Sequence, residues 1–476
     1  MKPSRLLPLI VACALFIENM DSTVLSTSLP AIAADLATDP IALKLALTTY
    51  LLSIAVFIPI SGWVADRFGA QTTFMTAIGV FLLGSIGCAV SGSLGALVAA
   101  RFVQGMGGAM MVPVGRLVLL RSIAKEELVQ ALSWLTIPAL VGPMVGPPLG
   151  GFITTYFDWR WIFLINLPMG ILGIALAKRF IPDIGERVPP LDWTGFILAG
   201  GGLAAAMFGF STLGRHLVPP TVAAPALIGG VAALVAYVVH SRRHPHALLD
   251  LNLLKLPTYR AGVLGGLLFR VGIGSTPFLL PLMLQLGFGL SPARSGLLTF
   301  VSAMGAIFMK TLAARILKRF GFRRVLVLNG LAAAAMLCGF GLFRPQTPHV
   351  YIIATLLVSG CFRSLQFTSL NAISYAEVDS PRMGHASSLA GMLQQLSLSL
   401  GVAIGGYLLE IVGAVNHRAA TDVGNFYWAF LAVGLISASS TWAMWRLPRN
   451  AGADMAGRAR PGKEVAEPKP TQLPAT

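Results

Sequence analysis

The sequence predicts an all-α membrane protein that crosses the bilayer fourteen times. Of its 476 residues, 55% are hydrophobic and only 11% are charged, and the mean hydropathy is +0.75. A soluble domain carries about 25% charged residues, so this chain has too few of them to cover the surface of a soluble globule. Apolar runs of about 20 residues recur along the chain. Only helices or closed barrels satisfy the backbone in lipid, and continuous runs of this length indicate helices.

The predicted spans are numbered 1 to 14 in chain order, and their even number places both termini on the same side of the membrane. They occupy residues 7–30, 43–65, 72–91, 95–118, 129–152, 161–180, 192–213, 221–241, 260–282, 293–314, 323–343, 349–374, 385–410 and 425–446.

The distribution of lysine and arginine predicts the orientation. The net charge is +16, but the basic residues recur in short clusters between the spans, which does not indicate nucleic-acid binding. If both termini are cytoplasmic and basic residues at the span ends are counted with the adjoining loops, the cytoplasmic segments hold 24 of the 35 lysines and arginines. The opposite side then holds six, Lys44 among them, and the interiors of the spans hold five. Cytoplasmic loops carry this excess. We therefore expect a multi-pass protein of the cytoplasmic (inner) membrane with both termini in the cytoplasm.

An internal repeat divides the chain into two halves. The segment 62–69 (GWVADRFG) recurs as 314–321 (ARILKRFG), and the segment 150–152 (GGF) recurs as 405–407 (GGY). Two six-helix halves related by an axis along the membrane normal form a known transporter architecture with a site near the midplane. The predicted units are an N-terminal bundle, two extra spans, a C-terminal bundle and an unstructured cytoplasmic tail, at residues 1–182, 183–258, 259–446 and 447–476.

Several motifs carry a specific resemblance. Besides 62–69, they are 101–109 (RFVQGMGGA), 142–151 (GPMVGPPLGG), 159–170 (WRWIFLINLPMG), 21–30 (DSTVLSTSLP) and 191–195 (LDWTG). Together they resemble the fourteen-span drug:proton antiporter branch of the major facilitator superfamily. The resemblance implies the major facilitator fold in a 6 + 2 + 6 arrangement, with no enzymatic activity and no cofactor. The sequence departs from the family pattern at Ser26, Leu45, Ala70, Gln71 and Lys318.

Two of these motifs are candidates for a conformational role. In the first, which contains Gly62, Asp66, Arg67 and Gly69, an acid at a helix end could dock on the positive end of a neighbouring helix and act as a latch. The alternative is an ordinary turn. In the second, small residues at every fourth position permit close helix contact and proline bends the helix, so gating and simple packing both remain open. Its candidate residues are Gly142, Gly146, Pro147, Gly150 and Gly151.

Charges within the spans are candidates for proton coupling. Glu18 and Asp21 are three residues apart and share a face of span 1. Two close carboxylates in a low dielectric do not both ionise readily, which suits a proton carrier, and Arg101 in span 4 is a possible counter-charge. The family resemblance assigns the matching Asp and Arg to proton coupling. The alternative is a static ion pair between spans 1 and 4.

The other charges within the spans are all positive, which favours an anionic substrate. Intramembrane charges are costly and usually functional, and arginine binds carboxylates through its bidentate fork. The alternative for Arg116 is that its side chain reaches the headgroups. The candidate substrate-binding residues are Arg116, Arg270, Lys310 and Arg363, with Gln285 and Gln366 as neutral hydrogen-bonding groups.

These observations predict a secondary transporter that exports small organic compounds, an organic anion or carboxylate among them, in exchange for protons by alternating access. The nucleotide-binding loop Gly-x4-Gly-Lys-Ser/Thr is absent from the sequence, so transport must use an ion gradient or the energy of a partner protein, and we expect the proton gradient. The expected partners are the substrate, protons and the lipid bilayer, with no nucleic acid and no metal. A proton-linked uptake symporter and a non-transporting receptor or scaffold are the alternatives.

The orientation can be tested with a reporter fused after Thr476. Because the basic residues place this end in the cytoplasm, a reporter that is active only there should be active. Activity of an exclusively periplasmic reporter at the same position would contradict the count of fourteen spans.

Overall fold

The computed structural model describes residues 3–123, 125–183, 185, 188–212, 218–244, 247–379, 382–448, 450–453 and 455. For residues 3–6, 120 and 125–140 it describes the backbone only. Within these ranges the regular structure is helical throughout, without β-strands.

Thirteen helical segments of the described residues are long and apolar enough to cross a membrane. They are spans 1–4 and 6–14, at Leu7–Thr27, Lys44–Phe68, Ala70–Ala89, Leu94–Leu119, Trp161–Phe180, Trp193–Thr212, Pro220–Arg243, Pro257–Gly287, Pro292–Phe320, Phe322–Phe340, His349–Ser374, Met383–Val415 and Val423–Trp445. A further helix, Lys125–Tyr156, occupies the position of span 5. The described part of the chain thus confirms the predicted all-α membrane fold and its fourteen helices.

The internal repeat is visible in the backbone. The loop between spans 2 and 3 turns at Gly69, with φ of 89°, and the loop between spans 10 and 11 turns at Gly321, with φ of 77°. Glycine adopts this left-handed region without steric penalty. The two loops therefore turn in the same way although Lys318 replaces the acid of the first copy.

Span 5 packs on span 1 through its small residues. A Cβ added at Gly142, Gly146 or Gly150 would overlap with atoms of span 1. Close approach of this kind gives the van der Waals contact that holds membrane helices together. The glycine repeat thus joins two helices of the N-terminal half.

The two halves meet at the end of the bundle away from the termini, where span 5 ends and span 10 begins. A Cβ at Gly151 would overlap the carbonyl oxygen of Pro292, and a Cβ at Gly296 would overlap that of Pro147. Between spans 9 and 1, the Gln285 Nε2 atom donates to the Thr27 carbonyl oxygen at 2.9 Å. These contacts close the bundle at this end, which we call the far end.

The segment predicted to be an unstructured tail begins with folded residues. Leu447 and Ala453 are buried, and a Cβ at Gly452 would contact Ile373 and Phe322. The bundle therefore continues past the predicted boundary at residue 447, because apolar side chains follow it. Residues 449, 454 and 456–476 lie outside the described part of the chain.

Candidate functional site

A fully buried ion pair joins spans 1 and 4. The Arg101 Nη1 atom lies 2.5 Å from Asp21 Oδ2, and both side chains are inaccessible to solvent. The other carboxylate oxygen, Oδ1, accepts hydrogen bonds from Gln104 Nε2 and Asn166 Nδ2, each at 2.9 Å. A buried charge is tolerated only when it is paired and hydrogen-bonded. The Asp21 carboxylate meets both conditions.

A second layer of contacts holds the donors in place. The Gln104 side chain accepts from Arg101 Nη1 at 2.6 Å and donates to the Ser85 hydroxyl oxygen at 2.8 Å. The Arg101 guanidinium also lies 4.0 Å from the centre of the Tyr50 ring, where the π-electrons stabilise its charge. Spans 1 to 4 and 6 thus contribute to one network, which we call the Asp21 network.

Glycines in span 4 bring the helices of this network together. A Cβ at Gly105 would overlap the backbone of span 2, and a Cβ at Gly107 would overlap that of span 3. Gly84 in span 3 faces the Gln104 backbone in the same way. Small residues at these crossings let the short side chains of Ser85 and Asp21 reach Gln104.

Glu18 lies one turn before Asp21 and is also buried, at 7% exposure. Its carboxylate makes no hydrogen bond or ion pair with the described residues, whereas Asp21 contacts three donors. Its backbone carbonyl oxygen accepts a long hydrogen bond of 3.5 Å from the Tyr50 hydroxyl. The predicted shared face is therefore present, but Arg101 pairs with Asp21 and not with Glu18.

Asp66 of the first motif makes an ion pair at the end of the bundle that carries the termini. The Asp66 carboxylate lies 2.8 Å from the guanidinium of Arg121, in the last turn of the helix Leu94–Ser122 that contains span 4. In this structure the acid therefore faces a cation and not a helix N-terminus, and its role as a latch stays a prediction. Arg67 and Gly62 are exposed and lie outside this contact.

Gln71, where the family pattern has a basic residue, connects spans 3 and 6. Its Nε2 atom lies 3.2, 3.1 and 2.6 Å from the carbonyl oxygens of Ala177, Lys178 and Ile181. The last carbonyl groups of a helix have no partner within it. Gln71 therefore caps span 6 in a role that the sequence did not reveal.

A second ion pair crosses the far end between the two halves. Lys44, at the start of span 2, lies 3.5 Å from the Glu410 carboxylate in span 13, and its Nζ atom is 3.9 Å from the centre of the Tyr407 ring. The Lys44 side chain is fully buried. A Cβ at Gly406 would overlap this side chain, so the repeated Gly-Gly-aromatic motif makes room for it. We call Lys44, Tyr407 and Glu410 the far-end lock. The sequence alone places Lys44 among the basic residues outside the spans, on the side opposite the termini.

Arg270 lies in span 9 and Arg363 in span 12 of the C-terminal half. Arg270 donates to Asn371 Oδ1 at 3.0 Å and to the carbonyl oxygen of Gly262 at 3.3 Å, and its guanidinium is 5.3 Å from the Phe367 ring. Arg363 lies one turn before Phe367 on the same helix. It is partly exposed, and neither a hydrogen bond nor an ion pair connects it to the described residues.

The remaining predicted substrate residues are not gathered around these arginines. Arg116 and Lys310 are exposed and make no hydrogen bond or ion pair with the described residues. Gln366 joins spans 11 and 12, where it accepts from Asn329 and donates to the Leu326 carbonyl oxygen. With Gln285 at the far end, both glutamines have structural partners, and the structure does not support their prediction as substrate ligands.

Comparison with known proteins identifies the family. The family model described as Major Facilitator Superfamily matches residues 11–242 and 262–472. The relative "Putative multidrug resistance protein MdtD" of Cronobacter sakazakii (strain ATCC BAA-894) is 38% identical over 446 residues, with coverage of 92% of this chain and 94% of the relative. The protein of the same name from Escherichia coli (strain K12) is 36% identical over 444 residues, 93% of this chain and 94% of its own.

Solved structures share the fold at low identity. A crystal structure of a D-xylose–proton symporter superposes with a TM-score of 0.69 at 15% identity and covers 94% of this chain and 98% of its own. The human organic anion transporter MFSD10 (TETRAN) superposes with a TM-score of 0.60 at 14% identity and covers 93% of this chain and all of its own.

The helical bundle and its buried charges are those of a multi-pass membrane transporter for small molecules, and not of an enzyme. The chain belongs to the major facilitator superfamily, as its motifs indicate.

Replacing Lys44 with methionine should favour opening of the far end. The substitution keeps most of the apolar stem and removes the charge that Glu410 and Tyr407 contact. A loss of about 1 kcal/mol would raise the ratio of open to closed molecules about fivefold. The distance between spin labels at Phe157 and Leu286, in a variant without the four native cysteines, should shift toward longer values by pulsed electron resonance.

Arg294→Met is the matched control, since this exposed residue at the start of span 10 has no ion pair among the described residues. Its distance distribution should match that of the parent. Equal distributions for Lys44→Met and the parent would contradict a role of the far-end lock in closure.

Proposed function

We propose that the protein is a proton-coupled exporter of small organic anions in the inner membrane, with both termini in the cytoplasm. The observation that carries this proposal is the Asp21 network, in which one titratable group connects five spans of the N-terminal half. The relatives named as multidrug resistance proteins support export of drug-like organic compounds. The cations Arg270 and Arg363 of the C-terminal half, which contact no carboxylate among the described residues, support an anion.

Protonation of Asp21 would change the contacts between spans 1 and 4. A proton on the carboxylate cancels the charge that faces Arg101, and leaves a buried guanidinium without its counter-ion. Such a group costs several kcal/mol unless something replaces the partner. The state with protonated Asp21 therefore favours a rearrangement that brings water or an anion to Arg101. This links proton binding to the position of span 1.

Span 1 can transmit this change to the far end. It packs along the glycines of span 5, and its Thr27 hydroxyl donates to the Pro147 carbonyl oxygen at 3.2 Å. Pro147 also faces Gly296 of the opposite half. A shift of span 1 relative to span 4 would therefore move the surface on which the two halves meet.

Glu18 is suited to pass a proton to or from Asp21. It lies one helical turn nearer the end that carries the termini and has no hydrogen bond or ion pair with the described residues that would hold it in place. The proposed path runs between that end, Glu18 and Asp21. Proton release toward the cytoplasm and anion release outward would complete one exchange cycle.

Arg270 and Arg363 would supply the anion site. The partners of Arg270 are a neutral amide, a carbonyl group and an aromatic ring, and Arg363 has no polar partner among the described residues. No carboxylate therefore compensates either guanidinium in the described contacts. An organic carboxylate could be bound by the forked N–H groups of Arg363, with Phe367 available for apolar contact.

An uptake symporter with the same coupling group is the second candidate, because the Asp21 network does not by itself define a direction. The antiporter-type motif at 142–151 favours exchange. Transport in inverted membrane vesicles distinguishes the two: proton-driven accumulation of the substrate inside them indicates export.

Asp21→Asn should uncouple transport from the proton gradient. The amide keeps the shape of the side chain but does not titrate, so proton-driven transport in vesicles should fall at least about a hundredfold, the lower end of the range for loss of a proton-transfer group. Substrate binding without a gradient should remain. Asp158→Asn, an exposed carboxylate after span 5, is the control and should transport normally.

Transport by Asp21→Asn at the parental rate would exclude Asp21 as the carrier. Glu18→Gln would then be the next variant, with the same two measurements.

Arg363→Gln should weaken the binding of anions selectively. Loss of a charge-assisted hydrogen bond of roughly 1.5–3 kcal/mol corresponds to about a tenfold to hundredfold loss of affinity. An aromatic carboxylate and an aromatic quaternary amine of the same size, titrated into the purified protein, provide a matched pair of ligands. The amine should bind no worse to the variant.

Arg315→Gln is the control for this measurement, since Arg315 is an exposed residue of span 10 without a polar contact in the described region. Tight amine binding by the parent protein with no carboxylate binding would contradict the anion proposal.

A further inference from the structure

A cluster of three side chains that can bind a metal lies at the start of span 7 and the end of span 8, outside the two halves. Asp192 directly precedes span 7, and its Oδ1 atom accepts the Gly195 backbone N–H at 2.8 Å. The His240 Nε2 atom, near the end of span 8, lies 2.9 and 3.1 Å from the two oxygens of this carboxylate. Asp192 thus caps one span and contacts the next.

His244 completes the cluster. It follows His240 by four residues, and the two imidazole rings are stacked with their centres 5.1 Å apart and their planes at 25°. One donor atom each of Asp192, His240 and His244 lies within 4.8 Å of the others. Two histidines one helical turn apart present their rings on the same face, which is a common arrangement in zinc sites.

The chemistry of these groups suits a divalent transition metal. Imidazole nitrogen and carboxylate oxygen bind Zn²⁺ at about 2.0–2.2 Å, so ligand atoms in a tetrahedral site lie about 3.3 Å apart. The His240 Nε2 atom already lies at a similar distance from the Asp192 carboxylate oxygens, 2.9 and 3.1 Å. His244 is exposed, so rotation of its side chain can bring its nitrogen closer by the required amount, at most about 1.5 Å.

The Asp192 carboxylate is held in position by backbone groups. It accepts the Gly195 N–H at 2.8 Å and the Leu248 N–H at 3.4 Å. The exposed Arg242 and Arg243 flank the site in sequence, where water screens their charge.

We propose that Asp192, His240 and His244 bind one divalent ion of the zinc class, with a fourth position open to solvent. The metal would replace the hydrogen bond between Asp192 and His240, with the proton of that bond released to water, and it would recruit the ring of His244. It would fix the start of span 7 to the end of span 8, the two spans between the halves.

The test uses the purified full chain with an affinity tag that contains no histidine. After treatment with a chelator, Zn²⁺ is titrated in competition with a chromophoric chelator. The parent protein should bind about one high-affinity Zn²⁺ per chain, and saturating Zn²⁺ should raise its midpoint of thermal unfolding. His244→Ala should bind Zn²⁺ at least about tenfold more weakly.

Two further variants make the result specific. His385→Ala removes an exposed histidine elsewhere in the protein and should bind Zn²⁺ as the parent does. Asp192→Asn keeps an N-cap for span 7 and should reproduce the loss seen with His244→Ala. The absence of saturable Zn²⁺ binding, or equal affinities for the parent and His244→Ala, would overturn the proposal.

Discussion

The buried ion pair between Asp21 and Arg101 is the constraint on which the N-terminal half depends. Neither charge can be placed among membrane helices unless it is paired and hydrogen-bonded, and here the partners come from spans 1 to 4 and 6. Each of these helices must therefore keep the rotation that points its polar group inward. The glycines of span 4 make this possible because they bring the backbones close enough for short side chains to meet.

The C-terminal half repeats the backbone of the first half but not its charge balance. Between spans 11 and 12, the neutral pair Asn329 and Gln366 makes the inter-helix hydrogen bonds, where the corresponding spans 3 and 4 carry Ser85 and the charged network. The cations Arg270 and Arg363 have no carboxylate among their described contacts. The two halves therefore differ in their buried charges, and the proposed exchange of a proton for an anion rests on this difference.

The sequence predicted the features that depend on helix composition and spacing. The number of spans, the repeat and the pairing of Asp21 with Arg101 all follow from these. It did not predict contacts that depend on how a helix is rotated by its neighbours. Gln285 and Gln366 are both polar residues within apolar runs. In the structure Gln285 donates to span 1 across the far end, whereas Gln366 joins spans 11 and 12 within the C-terminal half. Lys44 looked like a loop cation, because the space that Gly406 leaves for it appears only when spans 2 and 13 pack.

The position of span 7 is explained by the seam that it covers between spans 2 and 13. The far-end lock places Lys44 and Glu410 on the seam between spans 2 and 13, where exposure to lipid would be costly. Span 7 packs its Leu203 and Met207 against both helices of this seam, and its Phe210 carbonyl oxygen accepts the hydroxyl of Tyr407, the residue whose ring covers Lys44. Span 7, which packs against span 8 on its other side, therefore covers the seam between spans 2 and 13 beside this ion pair.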